Sequence, residues 1–217
     1  MLRWTRCGLL IACLLLLGAV EAGAASFGIE SFTATSSASS SNARGYRFRA
    51  EADLEVTHLA MYDVNLDGVG TNVGYDVHLW TDAGALLASA TIQLGTASPI
   101  QDGFRFEAIA SVFLNAGSIY RVSVDFGDDT GNPEFFFNPS ALTTNANFTI
   151  IANTGSAPAG LDDFGLQGPN GAFPGSANFA APIGPNIMFD VVPEPGTGLL
   201  LGLGLAFLAR RRSLPRA

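Results

Sequence analysis

Tyr120-Arg121-Val122-Ser123-Val124-Asp125-Phe126 alternates apolar and polar side chains along its whole length. Successive strand residues point to opposite faces. The pattern therefore predicts a strand with Tyr120, Val122, Val124 and Phe126 toward a core and Arg121, Ser123 and Asp125 away from it. The same period of two recurs on both sides of this segment. Tyr46 and Phe48 alternate with Arg47 and Arg49, and Tyr75, Val77 and Leu79 with Asp76 and His78. Leu86, Ala88, Ala90 and Ile92 share one face, while Phe104, Phe106 and Ala108 stand opposite Arg105 and Glu107. Turn residues such as Asp82-Ala83-Gly84 and Asn115-Ala116-Gly117 bound the runs. No sustained helical period occurs between Ala25 and Gly196. Many short alternating strands predict an all-β chain, an antiparallel β-sandwich of jelly-roll type.

Around this core the sequence divides simply. Residues 25–44 read as a Ser/Ala-rich linker, with nothing to bury from Ser36 to Ser41, so the sandwich is expected over 45–192. From Asn153 to Pro185 the alternation fails among Gly, Pro, Ala and Asn. That stretch reads as an ordered loop pinned by Phe164, Phe173 and Phe179. Asn186 to Val192 reads as a last strand, with Ile187, Phe189 and Val191 on one face.

The N-terminus has Arg3 and Arg6, an uncharged apolar run from Leu9 to Val20, then Ala22-Gly23-Ala24. A basic region, a short apolar region and small residues describe a signal peptide over 1–24, with signal peptidase cutting after Ala24 or one residue later. A rival lies inside it: Leu10-Ile11-Ala12-Cys13 fits a lipoprotein box, although that motif normally closes an apolar region rather than splitting it. Cleavage after Ala24 removes Cys7 and Cys13, leaving a mature chain without disulfide or thiol chemistry.

The C-terminus mirrors that arrangement. Val192-Pro193-Glu194-Pro195 precedes an uncharged stretch from Gly196 to Ala209, and Arg210-Arg211-Arg212 follow. As a helix those intervening residues span roughly 21 Å against about 30 Å of hydrocarbon, a marginal membrane span. Four glycines weaken it further. These residues resemble the PEP-CTERM sorting signal of Gram-negative bacteria, over 193–217. The resemblance implies a sorting motif of Pro193, Glu194, Pro195, Arg210, Arg211 and Arg212, and recognition by the membrane-embedded protease exosortase. It further implies transient anchoring in the inner membrane through the apolar segment, then delivery to the cell surface or extracellular matrix. The ordinary alternative is a single-span anchor that stays in place.

The middle also resembles a known group. Leu59-Ala60-Met61-Tyr62-Asp63, Asp67-Gly68, His78-Leu79-Trp80, Leu86-Leu87-Ala88-Ser89-Ala90-Thr91, Gly117-Ser118-Ile119-Tyr120, Gly171-Ala172-Phe173-Pro174 and Phe189-Asp190-Val191-Val192 occur in that order. They resemble secreted bacterial β-sandwich modules catalogued as a domain of unknown function, and the resemblance carries no catalytic residues with it.

All 11 basic residues are arginine, and only Arg44, Arg47, Arg49, Arg105 and Arg121 lie between Ala25 and Pro195. Every acidic residue except Glu21 lies there too, so the exported part is strongly acidic. It repels nucleic acid and attracts divalent cations or basic partners. There is no HExxH, GxSxG or P-loop pattern, and His58 and His78 each sit within an apolar strand pattern. No catalytic residue is expected, and the chain is read as not an enzyme.

One loop carries two readings. Asp63-Val64-Asn65-Leu66-Asp67-Gly68 places oxygen donors at alternate positions and a glycine sixth, like the opening of a calcium loop with Asp63, Asn65 and Asp67 as ligands. Its twelfth position is Gly74, where a bidentate Glu belongs, so a plain Asp/Asn/Gly hairpin turn remains open beside it. Asp125, Asp128 and Asp129 form a second acidic turn. Beyond calcium in the first reading, no cofactor is expected. The functional classes are a non-enzymatic surface or matrix protein associated with exopolysaccharide, a carbohydrate-binding module using Trp80 or Phe135-Phe136-Phe137, and, more remotely, a hydrolase.

Overall fold

The computed structural model describes residues 25–33, 36–38, 43–70, 73–126, 135–137, 140–151, 165–168, 175–176 and 184–193. The signal-peptide segment, Glu194, Pro195, the apolar run and Arg210 to Arg212 lie outside these residues. So do Asp128, Asp129, Phe164, Phe173 and Phe179.

The described chain is all-β, with one 3-10 turn at Val64–Leu66. Sixteen strands follow in order: β1 Ser26–Phe27, β2 Ile29–Thr33, β3 Ser36–Ala38, β4 Ala43–Ala50, β5 Leu54–Tyr62, β6 Tyr75–Thr81, β7 Leu86–Ile92 and β8 Ile100–Gln101. Then come β9 Phe104–Leu114, β10 Ile119–Asp125, β11 Phe135–Phe137, β12 Ser140–Thr144, β13 Phe148–Ile151, β14 Gly165–Gly168, β15 Gly175–Ser176 and β16 Pro185–Val191. Two antiparallel sheets dominate. One has the order β1-β16-β5-β9-β8; the other runs β15-β14-β4-β10-β6-β7, with β13 sharing the β14 edge of β4. Two small pairs, β11-β3 and β12-β2, complete the described structure.

The alternation read from the sequence positions the core. Tyr46, Phe48, Tyr75, Val77, Leu79, Tyr120, Val122 and Val124 from one sheet meet Leu54, Val56, Leu59, Met61, Ile187 and Phe189 from the other in a single buried cluster. Phe148 stacks on Phe48 with ring centroids 4.5 Å apart and meets Tyr46 edge-on. Each such ring contributes about 1.5–3 kcal/mol by leaving water. Across the sheets, the fully buried Tyr46 hydroxyl donates to the Pro185 carbonyl at 2.9 Å. Burial raises the ionisation pKa of this tyrosine. Close approach explains one glycine: a Cβ on Gly45 would lie 2.0 Å from the Val122 carbonyl oxygen.

Two boundary expectations are corrected. The stretch read as a linker, 25–44, contains β1, β2 and β3, and Ile29 is fully buried. The buried side chain of Asn186 holds it there, its Oδ1 accepting from the Ile29 N–H and its Nδ2 donating to the Ile29 carbonyl. A side-chain amide thus replaces part of a backbone ladder, which no alternation pattern reveals. The stretch read as one ordered loop, 153–185, contains β14 and β15. The former pairs with β4 from Gly165↔Tyr46 to Gly168↔Ala43. Glycine-rich strands carry no apolar period, so composition hid them.

Candidate functional site: a buried arginine corner and the end of the last strand

β5 ends at Tyr62, and Asp63 turns inward, 0% exposed. Its Oδ2 accepts from Arg105 Nε at 2.7 Å, and both carboxylate oxygens accept from the Gly68 N–H at 3.1 Å. Arg105, on β9, is itself nearly buried and donates from Nη1 to the Ser98 carbonyl at 2.8 Å. The Ser98 hydroxyl donates to Glu107 Oε1 at 2.6 Å and accepts from the Gln93 N–H at 2.8 Å. This network joins three segments at one corner of the molecule: the loop holding Asp63 and Gly68, the loop holding Gln93 and Ser98, and β9. Every charge in it has a partner of opposite sign or a hydrogen bond, the condition for tolerating buried ions.

The loop between is tightly wound. Asn65, Leu66, Gly68 and Gly70 all have positive φ, and Val69 bridges to Gly95. Asn65, Leu66 and Asp67 are exposed. The structure therefore separates the three residues read as calcium ligands: Asp63 faces a guanidinium inside, while Asn65 and Asp67 face outward. Among the described residues no three His, Cys, Asp or Glu side chains group where they could hold a metal ion. Gly68 is needed at its place, but for a different reason. A Cβ there would meet the Gly95 backbone at 2.5 Å.

A second arginine cluster lies on the sheet of β4, β6 and β10. Asp82 accepts from Arg47 Nε and Nη2 at 3.0 and 2.7 Å, and from Arg121 Nε at 2.9 Å. Burial opposes ionisation of Asp82, yet the hydrogen bonds from the two arginines outweigh it together and hold the carboxyl below its ordinary pKa. Beside it Trp80 is 7% exposed, its indole N–H donating to Ser123 Oγ at 3.0 Å. The expectation of Trp80 as an exposed sugar-stacking platform is thereby corrected. The side chains of Phe135 to Phe137 lie outside the description.

The two histidines lie in different sheets, His58 on β5 and His78 on β6. His58 Nδ1 contacts the neighbouring Thr57 hydroxyl, and both ring nitrogens of His78 are buried without a hydrogen-bond partner. Desolvation lowers the His78 pKa, against the opposing pull of Asp76 and Asp125.

The sorting motif meets the domain at β16. Val191 is its last residue, the Val192 N–H still donates to the Asp53 carbonyl at 2.8 Å, and Pro193 is exposed. Ser26 of β1 pairs with Phe189, so the first and last strands of the domain lie side by side. Among the described residues no helix is long and apolar enough to cross a membrane, and 196–209 is not among them.

Sequence reasoning missed Arg105, Ser98 and Asn186. Arg105 sits in an alternating run and reads as solvent-facing. Only the loops folded over β9 bury it.

The molecule is thus an all-β, two-sheet domain whose last strand runs directly into a sorting sequence. Residues 30–180 match the family described as Domain of unknown function (DUF4082), and the chain belongs to that family. Residues 191–213 match the PEP-CTERM protein-sorting motif, which marks the chain as an exported protein sorted toward the cell surface and processed by exosortase. No curated protein and no solved structure matches the chain.

Proposed function

We propose that this is a non-enzymatic surface or extracellular-matrix protein built as a jelly roll, working without a cofactor and associated with extracellular polysaccharide. Signal peptidase removes 1–24, and the apolar tail holds the precursor transiently in the inner membrane until exosortase releases it. The position of the sorting motif carries this reading. Pro193 follows a residue still hydrogen-bonded to the sheet, so cutting near the motif frees a complete domain and takes nothing from its core. The pairing of β1 with β16 supports it as well, since both processed ends leave the domain at the same place.

The jelly-roll reading is supported by strand order. The orders β1-β16-β5-β9 and β4-β10-β6-β7 interleave along the chain as two Greek keys do. A non-enzymatic role is supported by two clusters in which charged groups are engaged by one another: Asp63 by Arg105, and Asp82 by Arg47 and Arg121.

The test is mass spectrometry of the protein recovered from the matrix of producing cells, for wild type and Glu194→Ala. Wild type starts near Ala25 and stops near Pro195, while Glu194→Ala accumulates as uncleaved precursor in the inner membrane. Recovery of chains carrying Arg216 from the matrix overturns the sorting reading. A glycan array on the same released protein tests the polysaccharide association.

A further inference from the structure

Ala25 is partly buried and packs against the core rather than trailing from it. The residues after it are fixed one by one. Ser26 pairs with Phe189 on β16, and the Phe27 ring centroid lies 5.1 Å from that of Phe104. The Gly28 N–H donates to the Ile187 carbonyl at 3.0 Å, and the Asn186 side chain holds both backbone groups of Ile29. An extended chain advances at most about 3.6 Å per residue, so the Ala25 nitrogen stands within about 7 Å of the anchored Phe27.

This strand end opens on a cleft of about 230 Å³, lined among the described residues by Ala25, Ser26, Phe27, Glu30, Gln101 and Asp102. Its charged members are two carboxylates from different elements, and no described arginine or histidine lines it. Glu30 belongs to β2, and its Oε1 accepts from Asn145 Nδ2 at 3.1 Å. Asp102 belongs to the two-residue Asp-Gly turn between β8 and β9, in which both residues have positive φ. The turn is itself tied down, the Gly103 carbonyl accepting from the Asp63 N–H at 2.9 Å. While residues 1–24 are attached, the Ala25 nitrogen is a neutral amide. The two carboxylates then share the cleft without a cation among its described lining.

We infer that this cleft is a binding site for the chain's own new N-terminus: once 1–24 is removed, the α-ammonium of Ala25 pairs with the carboxylates of Glu30 and Asp102. The inference rests on the proposed cut by signal peptidase. A cut one residue later leaves Ser26 first, and that residue lines the same cleft. Cleavage turns a neutral amide into a cation at a fixed place, so two like charges gain a common partner of opposite sign. β1 is thereby tied to β2 and to the β8–β9 turn. It is also the strand that pairs with β16, which runs into the sorting motif. Processing at the front of the domain fastens the strand pair from which its back end is cut.

Composition makes the test specific. The chain has no lysine, so the mature protein carries a single amine, at its N-terminus. Protein recovered from the matrix is first sequenced by mass spectrometry, then labelled with an amine-reactive succinimidyl ester across a pH series. An unperturbed α-amine has a pKa of about 7.7. Two carboxylates should raise the measured value by about half a unit to one unit, slowing labelling at neutral pH roughly threefold to tenfold. The shift should shrink in about 1 M salt, where screening acts within about 3 Å, and vanish in the double variant Glu30→Gln/Asp102→Asn. Acetylating the amine should lower the melting temperature of wild type and leave that of the double variant unchanged. A chain starting at another residue overturns the processing reading and this inference with it. A chain starting at Ala25 or Ser26 whose amine is unshifted, or shifted equally in the double variant, overturns this inference alone.

Discussion

Two Asp–Arg clusters in this domain have similar distances and different surroundings. Asp63 and Arg105 approach to 2.7 Å with side chains 0% and 5% exposed; Asp82 meets Arg47 and Arg121 at 2.7 and 2.9 Å with its own side chain 33% exposed. Coulomb attraction is weak where water screens it and strong where water is excluded, but only the buried site carries a large desolvation cost. The buried pair therefore acts as a weld whose halves depend on each other. The outer cluster is a surface brace spanning β4, β10 and the β6–β7 turn. Equal geometry does not mean equal consequence.

Breaking the weld should have the largest effect. Asp63→Ala leaves Arg105 charged, buried and without its carboxylate, and strips the Gly68 N–H of its acceptor. A loss on the order of 3–5 kcal/mol of stability is expected in urea unfolding. The double variant Asp63→Leu/Arg105→Met should recover part of it, since removing both ions also removes the desolvation cost. If Asp63→Ala costs no more than a surface substitution, the two clusters do not differ in kind.

Loosening the brace should cost less. Asp82→Asn keeps the shape but removes the charge, and about 1 kcal/mol is expected at neutral pH for a partly exposed cluster. The folded carboxyl is held below its ordinary pKa. Its contribution is then complete above the unfolded pKa of about 3.9 and lost as pH falls through the folded value. Wild type and Asp82→Asn should therefore converge in stability at the acid end of a denaturation series. A difference that persists there would mean that packing, not charge, makes the brace.

The smallest effect belongs to calcium. Arg105 already supplies the positive charge that faces Asp63, while Asn65 and Asp67 point outward. The melting temperature should be the same in millimolar calcium and in chelator. A rise with calcium, removed by Asp67→Ala, would show that the outer donors gather an ion despite the internal pair.

The contrast between the clusters also marks how far residue patterns reach. Period-two alternation located β4, β6, β7, β10 and β16, because burying one face of a strand forces side chains to alternate, but it grouped Leu86 and Val191 with buried residues where both are exposed, each beyond a register shift in its strand. It failed at Arg105 and at β14. The arginine is buried by a loop distant in sequence, and glycines leave no apolar trace. The oxygen-rich spacing at Asp63 to Gly68 correctly marked a tight loop. It did not reveal what Asp63 faces, because Arg105 comes from a strand 42 residues later.

The all-β class and the acidic character of the domain can be read from residue order alone. So can the sorting ending, since alternation, net charge and a contiguous motif are all local properties. The folded arrangement alone shows which strands neighbour one another, that the segment after Ala25 belongs to the sheet, that Trp80 is covered, and that Asp63 answers to Arg105. Each of these depends on which distant segments are brought together, and burial and pairing are properties of neighbours in space.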